Sequence, residues 1–123
     1  MELNEYQKMA METCLPESEN FAYMMLNLVG EIGEFASKVA KSIRKGQMLV
    51  DGNALQIVGD VATVADVDRL HEGLKAEAGD ILWQLSGLCS ANGWSLEEIA
   101  RGNLEKLASR KERGVVDGDG DNR

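Results

Sequence analysis

Two long stretches of this chain repeat their apolar residues at the pitch of a helix. Between Asn20 and Lys45, the residues Phe21, Met24, Met25, Leu28, Ile32, Phe35, Val39 and Ile43 recur every three or four positions. From the Thr63–Asp66 region to about Asn92, the residues Leu70, Leu74, Ala78, Ile81, Leu82, Leu85 and Leu88 do the same. An apolar stripe on a helix has to be buried against another element. Aromatic residues make up 5% of the chain and Pro16 is its single proline, a mix that suits helices better than a sheet sandwich. The expectation is an all-α, four-helix-bundle-like domain with an inserted loop between helices 2 and 3.

Local signals place the breaks. Residues 2–14 form an amphipathic helix with Leu3, Tyr6, Met9 and Ala10 on one side, ended by Pro16. The second helix starts after Ser18 or Asn20 and stops at Gly46. In 46–65, the turn signals Gly46, Asp51-Gly52 and Gly59 separate apolar stretches at 48–50 and 57–64, which suit short strands, a hairpin or an irregular loop. Gly93 closes the third helix, which starts near Thr63-x-x-Asp66, and Ser95-x-x-Glu98 is a capping box opening the fourth. In that last helix Leu96, Ala100, Leu104, Leu107 and Ala108 are candidates for the core, and Gly114 ends it. The domain is expected over residues 1–114, with 46–70 as an insertion and 115–123 as an extended or mobile tail.

Both long helices carry an acidic pair at i, i+3: Glu31 with Glu34, and Glu77 with Asp80. Residues three apart share a helical face, so each pair can aim its oxygens at one point. Two such helices face to face would gather four carboxylates. Unpaired charges in a dry seam are very costly. A hard divalent cation removes that cost, and oxygen-only donors suit Mg²⁺ or Mn²⁺. Two solvated acidic faces are the plain alternative. Gly30, Gly33 and Gly79 lie beside the same acids. Each costs a helix about 1 kcal/mol relative to Ala, which close approach of a backbone or ligand, or packing alone, would explain and a merely solvated face would not require.

The 123 residues carry 21 acidic and 13 basic side chains, a net charge of −8. That balance speaks against binding a nucleic acid polymer and against anionic membranes. No run approaches the roughly 18 apolar residues of a spanning helix. MELNEYQK at the N-terminus lacks a signal-peptide layout. Cys14 and Cys89 alone make neither a disulfide framework nor a thiolate cluster. A cytoplasmic protein is expected. A phosphate-bearing small molecule stays compatible with the charge if metal ions reverse it locally.

Basic and polar groups follow the acids. Asn27, Glu31, Glu34, Lys38, Lys41 and Lys45 share the stripe of helix 2 opposite its apolar one; it reads either as a solvated face with a Glu34–Lys38 i, i+4 pair or as acids for a metal followed a turn later by bases for phosphate. Gly73, Glu77, Asp80 and Gln84 form a separate stripe on helix 3. On helix 4, Asn103, Lys106, Arg110 and Arg113 recur at three and four, and Lys106 with Arg110 can reach one ligand. A solvated basic face is the competing reading of that stripe.

The segments LVGEIGEFASK (28–38) and LKAEAGDILWQL (74–85) resemble the MazG-like all-α nucleoside triphosphate pyrophosphohydrolases, whose pattern is E-x-x-E followed by E-x-x-D. LNEYQKMAMET (3–13) and the run from Asn103 onward are similar to the two ends of short, single-domain phage and bacterial members. The resemblance implies a helical bundle that assembles as a homodimer or homotetramer. It implies Mg²⁺-dependent hydrolysis of a (deoxy)nucleoside triphosphate to the monophosphate and pyrophosphate, by attack of a metal-activated water at the α-phosphorus. Glu31, Glu34, Glu77 and Asp80 would be the metal and catalytic residues. Lys106 and Arg110 fall where members place basic groups near substrate, so Lys38, Gln84, Asn103, Lys106, Arg110 and Arg113 are the candidate substrate contacts. Two departures stand out. The 42 residues between Glu34 and Glu77 exceed the usual spacing, and Gln84 stands where relatives often carry an aromatic.

Other enzyme classes lack their residues here. Di-iron bundles need Glu-x-x-His pairs, and His71 is the only histidine. Neither a P-loop nor a G-x-S-x-G elbow occurs. The alternative to an enzyme is a non-catalytic helical module that binds nucleotide or a protein partner.

Overall fold

The computed structural model describes residues 1–59 and 64–123. Helix α1 spans Leu3–Met11, and a short 3₁₀ turn, Pro16–Ser18, leads into helix α2, Phe21–Arg44. Strands β1, Met48–Asp51, and β2, Ala54–Ile57, follow. Helices α3, Val64–Ala91, and α4, Leu96–Glu112, complete the chain. The molecule is thus mostly helical, with a two-stranded hairpin between its second and third helices. Thr63, the expected start signal of α3, and much of the 57–64 apolar stretch lie outside the described residues.

Caps and stops sit where the local chemistry calls for them. The Asn20 side chain accepts from the Tyr23 amide at 2.8 Å and starts α2. Gly46, at φ +72°, ends it. The amides of Gly46 and Gln47 bond back to the carbonyls of Ile43 and Ser42, a closure that requires the left-handed conformation glycine adopts freely. Gly93 closes α3 in the same way. Ser95 then accepts from the Glu98 amide and opens α4.

In the hairpin Met48 pairs with Ile57 and Asp51 with Ala54, around a two-residue Gly52-Asn53 loop. Glycine first in such a loop matches a turn whose twist suits paired strands. Met48 is buried, so the hairpin packs back onto the helices.

The main seam lies between α2 and α3, with α1 laid across α3. Met24 is fully buried at this seam. A Cβ on Gly87 would come within 2.3 Å of the Met24 sulfur, so the glycine is what seats that side chain. Trp83 Nε1 donates to the Ala10 carbonyl and to Thr13 Oγ1, each at 3.0 Å, and fastens the end of α1. Gln7 Nε2 donates to Ser90 Oγ and to the Trp94 carbonyl, and its oxygen accepts from the Leu96 amide. One α1 side chain therefore anchors the α3–α4 corner.

Expectations about facing need correction on three helices. On α3, Ala78, Leu82 and Leu85 of the expected inward set are exposed, while Glu77, Gln84 and Ser86 are buried. On α2 the residues turned toward α3 are Met24, Asn27, Leu28, Glu31, Phe35, Val39 and Ser42, all buried or half-buried. Ile32, by contrast, is 51% exposed, and Phe21, Met25 and Ile43 are also exposed. The seam has taken in Asn27 and Glu31 of the polar stripe with part of the apolar one, while Glu34, Lys38, Lys41 and Lys45 stay exposed. On α4, Leu96 is buried but Leu104 is 68% exposed, and Leu107 and Ala108 are exposed too. The reason is that α4 packs on α1 mainly through its first turn. Its later apolar residues have no partner of consequence within the described chain.

Candidate functional site

Glu31 and Glu34 stand on α2 and Glu77 on α3, facing across the seam. One carboxylate oxygen from each lies within 4.8 Å of the other two. Mg²⁺ holds its oxygens at about 2.0–2.1 Å, so ligands on opposite sides are about 4.2 Å apart. Closing the set on one ion takes only small side-chain movements. Asp80 is one turn beyond Glu77, outside that tight group and exposed, yet its charge acts on Glu31, Lys38 and Tyr6.

The electrostatics are those of a site short of positive charge. Burial pushes the Glu31 carboxyl above its usual range, and the charges of Glu34, Asp80 and Glu77 push it further. A hydrogen bond from Asn27 Nδ2, at 3.3 Å, opposes them. Glu77 is 6% exposed. One of its oxygens accepts from the Lys38 ammonium. The other, Oε2, is buried with no hydrogen-bond partner among the described residues. A buried carboxylate oxygen left bare costs free energy. The donor set therefore fits a divalent, oxygen-preferring cation: three convergent carboxylates, no nitrogen or sulfur ligand, and one orphaned oxygen. Lys38 is the resident counter-charge, its pKa raised chiefly by its bond to Glu77.

The glycines beside the acids are not explained by packing within the chain. A Cβ on Gly33 or Gly79 would meet nothing within 4 Å, and one on Gly30 would meet only Asn27 Oδ1 at 3.6 Å. Open space lies beside Gly33 and Gly79 among the described residues.

Gln84 is buried on the Glu77 stripe, two turns on, and its Oε1 also lacks a partner. The α4 residues lie elsewhere. Asn103 is exposed. The tail does not extend away from α4 but turns back along it. Asp121 Oδ1 accepts from Lys106 Nζ at 3.2 Å and from Arg110 Nη2 at 3.1 Å. Arg110, 5% exposed, donates also to the Gly120 and Asp121 carbonyls, while its Nε has no partner. Arg113 reaches the Arg123 carbonyl. Arg110, then Lys106, hold the Asp121 carboxyl below its usual range. The structure thus brings together Glu31, Glu34, Glu77 and Lys38, and groups the α4 bases around the tail.

Two residues near the site were not among the sequence candidates. Asn27 orients Glu31 from one turn before it, and the i, i+4 spacing was a usable signal. Tyr6 reaches the neighbourhood of Asp80 from α1. Burial first, then that charge, raise its hydroxyl pKa. Nothing local to α1 foretells that meeting.

Comparison with known proteins sets this arrangement in context. The family model described as the MazG nucleotide pyrophosphohydrolase domain matches residues 19–115. The chain is 36% identical over 106 residues to the Gene 37 protein of Mycobacterium phage L5, an alignment covering 85% of this chain and 78% of that one. No solved structure matches. No helix among the described residues is long and apolar enough to cross a membrane.

Proposed function

Because the chain belongs to the MazG nucleotide pyrophosphohydrolase family, we propose that it hydrolyses a (deoxy)nucleoside triphosphate to the monophosphate and pyrophosphate. The observation that carries this reading is the three-carboxylate cluster with its bare, buried Glu77 oxygen, lying inside the matched domain. Glu31, Glu34, Glu77 and Asp80 would hold Mg²⁺ or Mn²⁺. When bound, such an ion neutralises phosphate oxygens and acidifies a nearby water.

The chain's own groups supply positioning, which accounts for most of the rate in phosphoryl chemistry. Water attacks the α-phosphorus in line. Its oxygen forms the new P–O bond, the α–β bridging bond breaks, and pyrophosphate leaves with that electron pair. The water proton passes to a neighbouring base. Asn27 fixes the Glu31 carboxylate from one side. Lys38 stands one turn past Glu34 and turns to substrate phosphate once its charge is no longer needed by Glu77. Lys106 and Arg110, brought to the site by a second copy at the subunit boundary, serve as further phosphate contacts, with nucleotide oxygens in the place Asp121 takes here. Asn103 and Arg113 extend that face, and Gln84 meets the nucleoside.

Assembly belongs to the same proposal. Leu26, Val29, Ile32, Leu104 and Leu107 are exposed large apolar residues on α2 and α4, and this exposure supports a contact between copies. A homodimer or homotetramer with the site near a subunit boundary follows. The protein is proposed to work in the cytoplasm, where Cys14 and Cys89 stay free thiols.

The test is hydrolysis of a nucleotide panel with Mg²⁺ in ¹⁸O-labelled water. The label should enter the monophosphate, with pyrophosphate as the other product. Diphosphate and orthophosphate as first products would place the attack at the γ-phosphorus and refute the reading.

A further inference from the structure

A cavity of about 330 Å³ opens beside the acid cluster between α2, α3 and the start of the hairpin. Lys38, Lys41 and Lys45 line it from α2, Arg69 and Gly73 from α3, and Met48 from β1. Among the described residues no acidic side chain lines it, in a protein whose acidic residues outnumber the basic ones by 21 to 13. The ammonium groups of Lys41 and Lys45 have no ion-pair or hydrogen-bond partner among the described residues. Arg69 bonds Asp66 with one nitrogen, at 3.2 Å, and its guanidinium is largely exposed, which leaves other donors of the fork free.

The cavity is in register with the acids. Lys38 lies one turn after Glu34, and Gly73 one turn before Glu77. On both helices the step is about 6 Å. Gly73 adds a second kind of evidence. It sits inside α3, where glycine costs about 1 kcal/mol, and a Cβ there would meet nothing within 4 Å. Packing does not call for it, but it keeps the cavity wall low beside the cations. The hairpin supplies the remaining wall through Gln47 and Met48. The cavity therefore depends on the very insertion that lengthens the spacing between the acid pairs.

Resting on the hydrolytic reading above, we propose that this cation-lined cavity receives the β- and γ-phosphates of the substrate and releases them as pyrophosphate. The triphosphate then lies along the α2–α3 seam. Its α-phosphorus is at the carboxylates, its distal phosphates are over Lys41, Lys45 and Arg69, and its nucleoside points toward Gln84. Several separate cations suit a linked pair of phosphates, and Arg adds a bidentate contact.

The probe is inorganic pyrophosphate with Mg²⁺, titrated calorimetrically into the wild-type protein, the Lys41→Ala/Lys45→Ala double variant and Arg69→Ala. A nucleoside monophosphate is the control ligand. Pyrophosphate affinity should fall by about tenfold or more in the double variant, as expected from losing charge-assisted hydrogen bonds. Monophosphate affinity should hold within about twofold on the same scale. Unchanged pyrophosphate affinity, or equal losses for both ligands, overturns the proposal. Pyrophosphate binding that depends on Lys41 and Lys45 in a protein that cleaves no triphosphate would leave the cavity standing and sink the hydrolytic reading. Pyrophosphate-releasing turnover with variant-independent pyrophosphate affinity would do the reverse.

Discussion

At the scale of single residues, Lys38 partly offsets the buried charge of Glu77. The ammonium offsets one oxygen of a buried carboxylate and leaves the other bare. Glu31 is not so compensated, and its pKa is raised above the ordinary 4.5 by burial and then by Glu34, Asp80 and Glu77. Between 4.5 and the raised value the folded protein binds a proton that the unfolded chain does not. Stability of the metal-free protein is therefore lost as pH rises through that window. Glu31→Gln should flatten this part of the melting-temperature profile, measured in EDTA. Parallel profiles for the two proteins would contradict the electrostatic account. Glu34→Gln and Asp80→Asn should each abolish turnover while leaving the metal-free fold intact, because each relieves repulsion among the acids. Helical circular dichroism alongside pyrophosphate release checks this, and full activity of either variant would remove that carboxylate from the site.

At the scale of elements, the α2–α3 seam is both the scaffold and the site. Met24 holds its N-terminal half, fully buried over Gly87. Truncation there should cost about 2–5 kcal/mol, the usual range for a buried Met→Ala change. Urea unfolding of Met24→Ala reads it directly, and a loss below about 1 kcal/mol would show that the seam relies on other contacts. On α4, Arg110→Ala should lower catalytic efficiency by about tenfold or more if the residue meets phosphate. Wild-type kinetics in that variant and in Lys106→Ala would confine the pair to holding the tail through Asp121.

At the scale of the whole molecule, the chain leaves much apolar area uncovered. Leu26 is 74% exposed on α2, and Leu104 and Leu107 lie open on α4. A second copy that covers them would also give the far half of α4 the packing it lacks here. Sedimentation equilibrium should show a dimer or tetramer. An active species sedimenting at the 13.4 kDa of one chain would contradict the assembly.

What could be read from the sequence is what depends on neighbours along the chain. The cap at Asn20, the stops at Gly46 and Gly93, the Ser95 capping box and the two acidic pairs are all settled within a few residues by backbone hydrogen bonding and helical pitch. The i, i+3 spacing leaves each acidic pair one shared face, but the meeting of Glu31, Glu34 and Glu77 depends on how the two helices pack. Facing between helices is a different matter, since it depends on which surfaces meet. Periodicity alone could not show that Asn27 and Glu31 would turn into the seam while Ile32 turned outward. It could not show that Tyr6 would come near Asp80, or that Asp121 would fold back onto Lys106 and Arg110. The 46–59 segment, short and rich in turn residues, became a hairpin through cross-strand pairing and the burial of Met48. Those outcomes rest on contacts between residues far apart in sequence, and only the tertiary structure decides them.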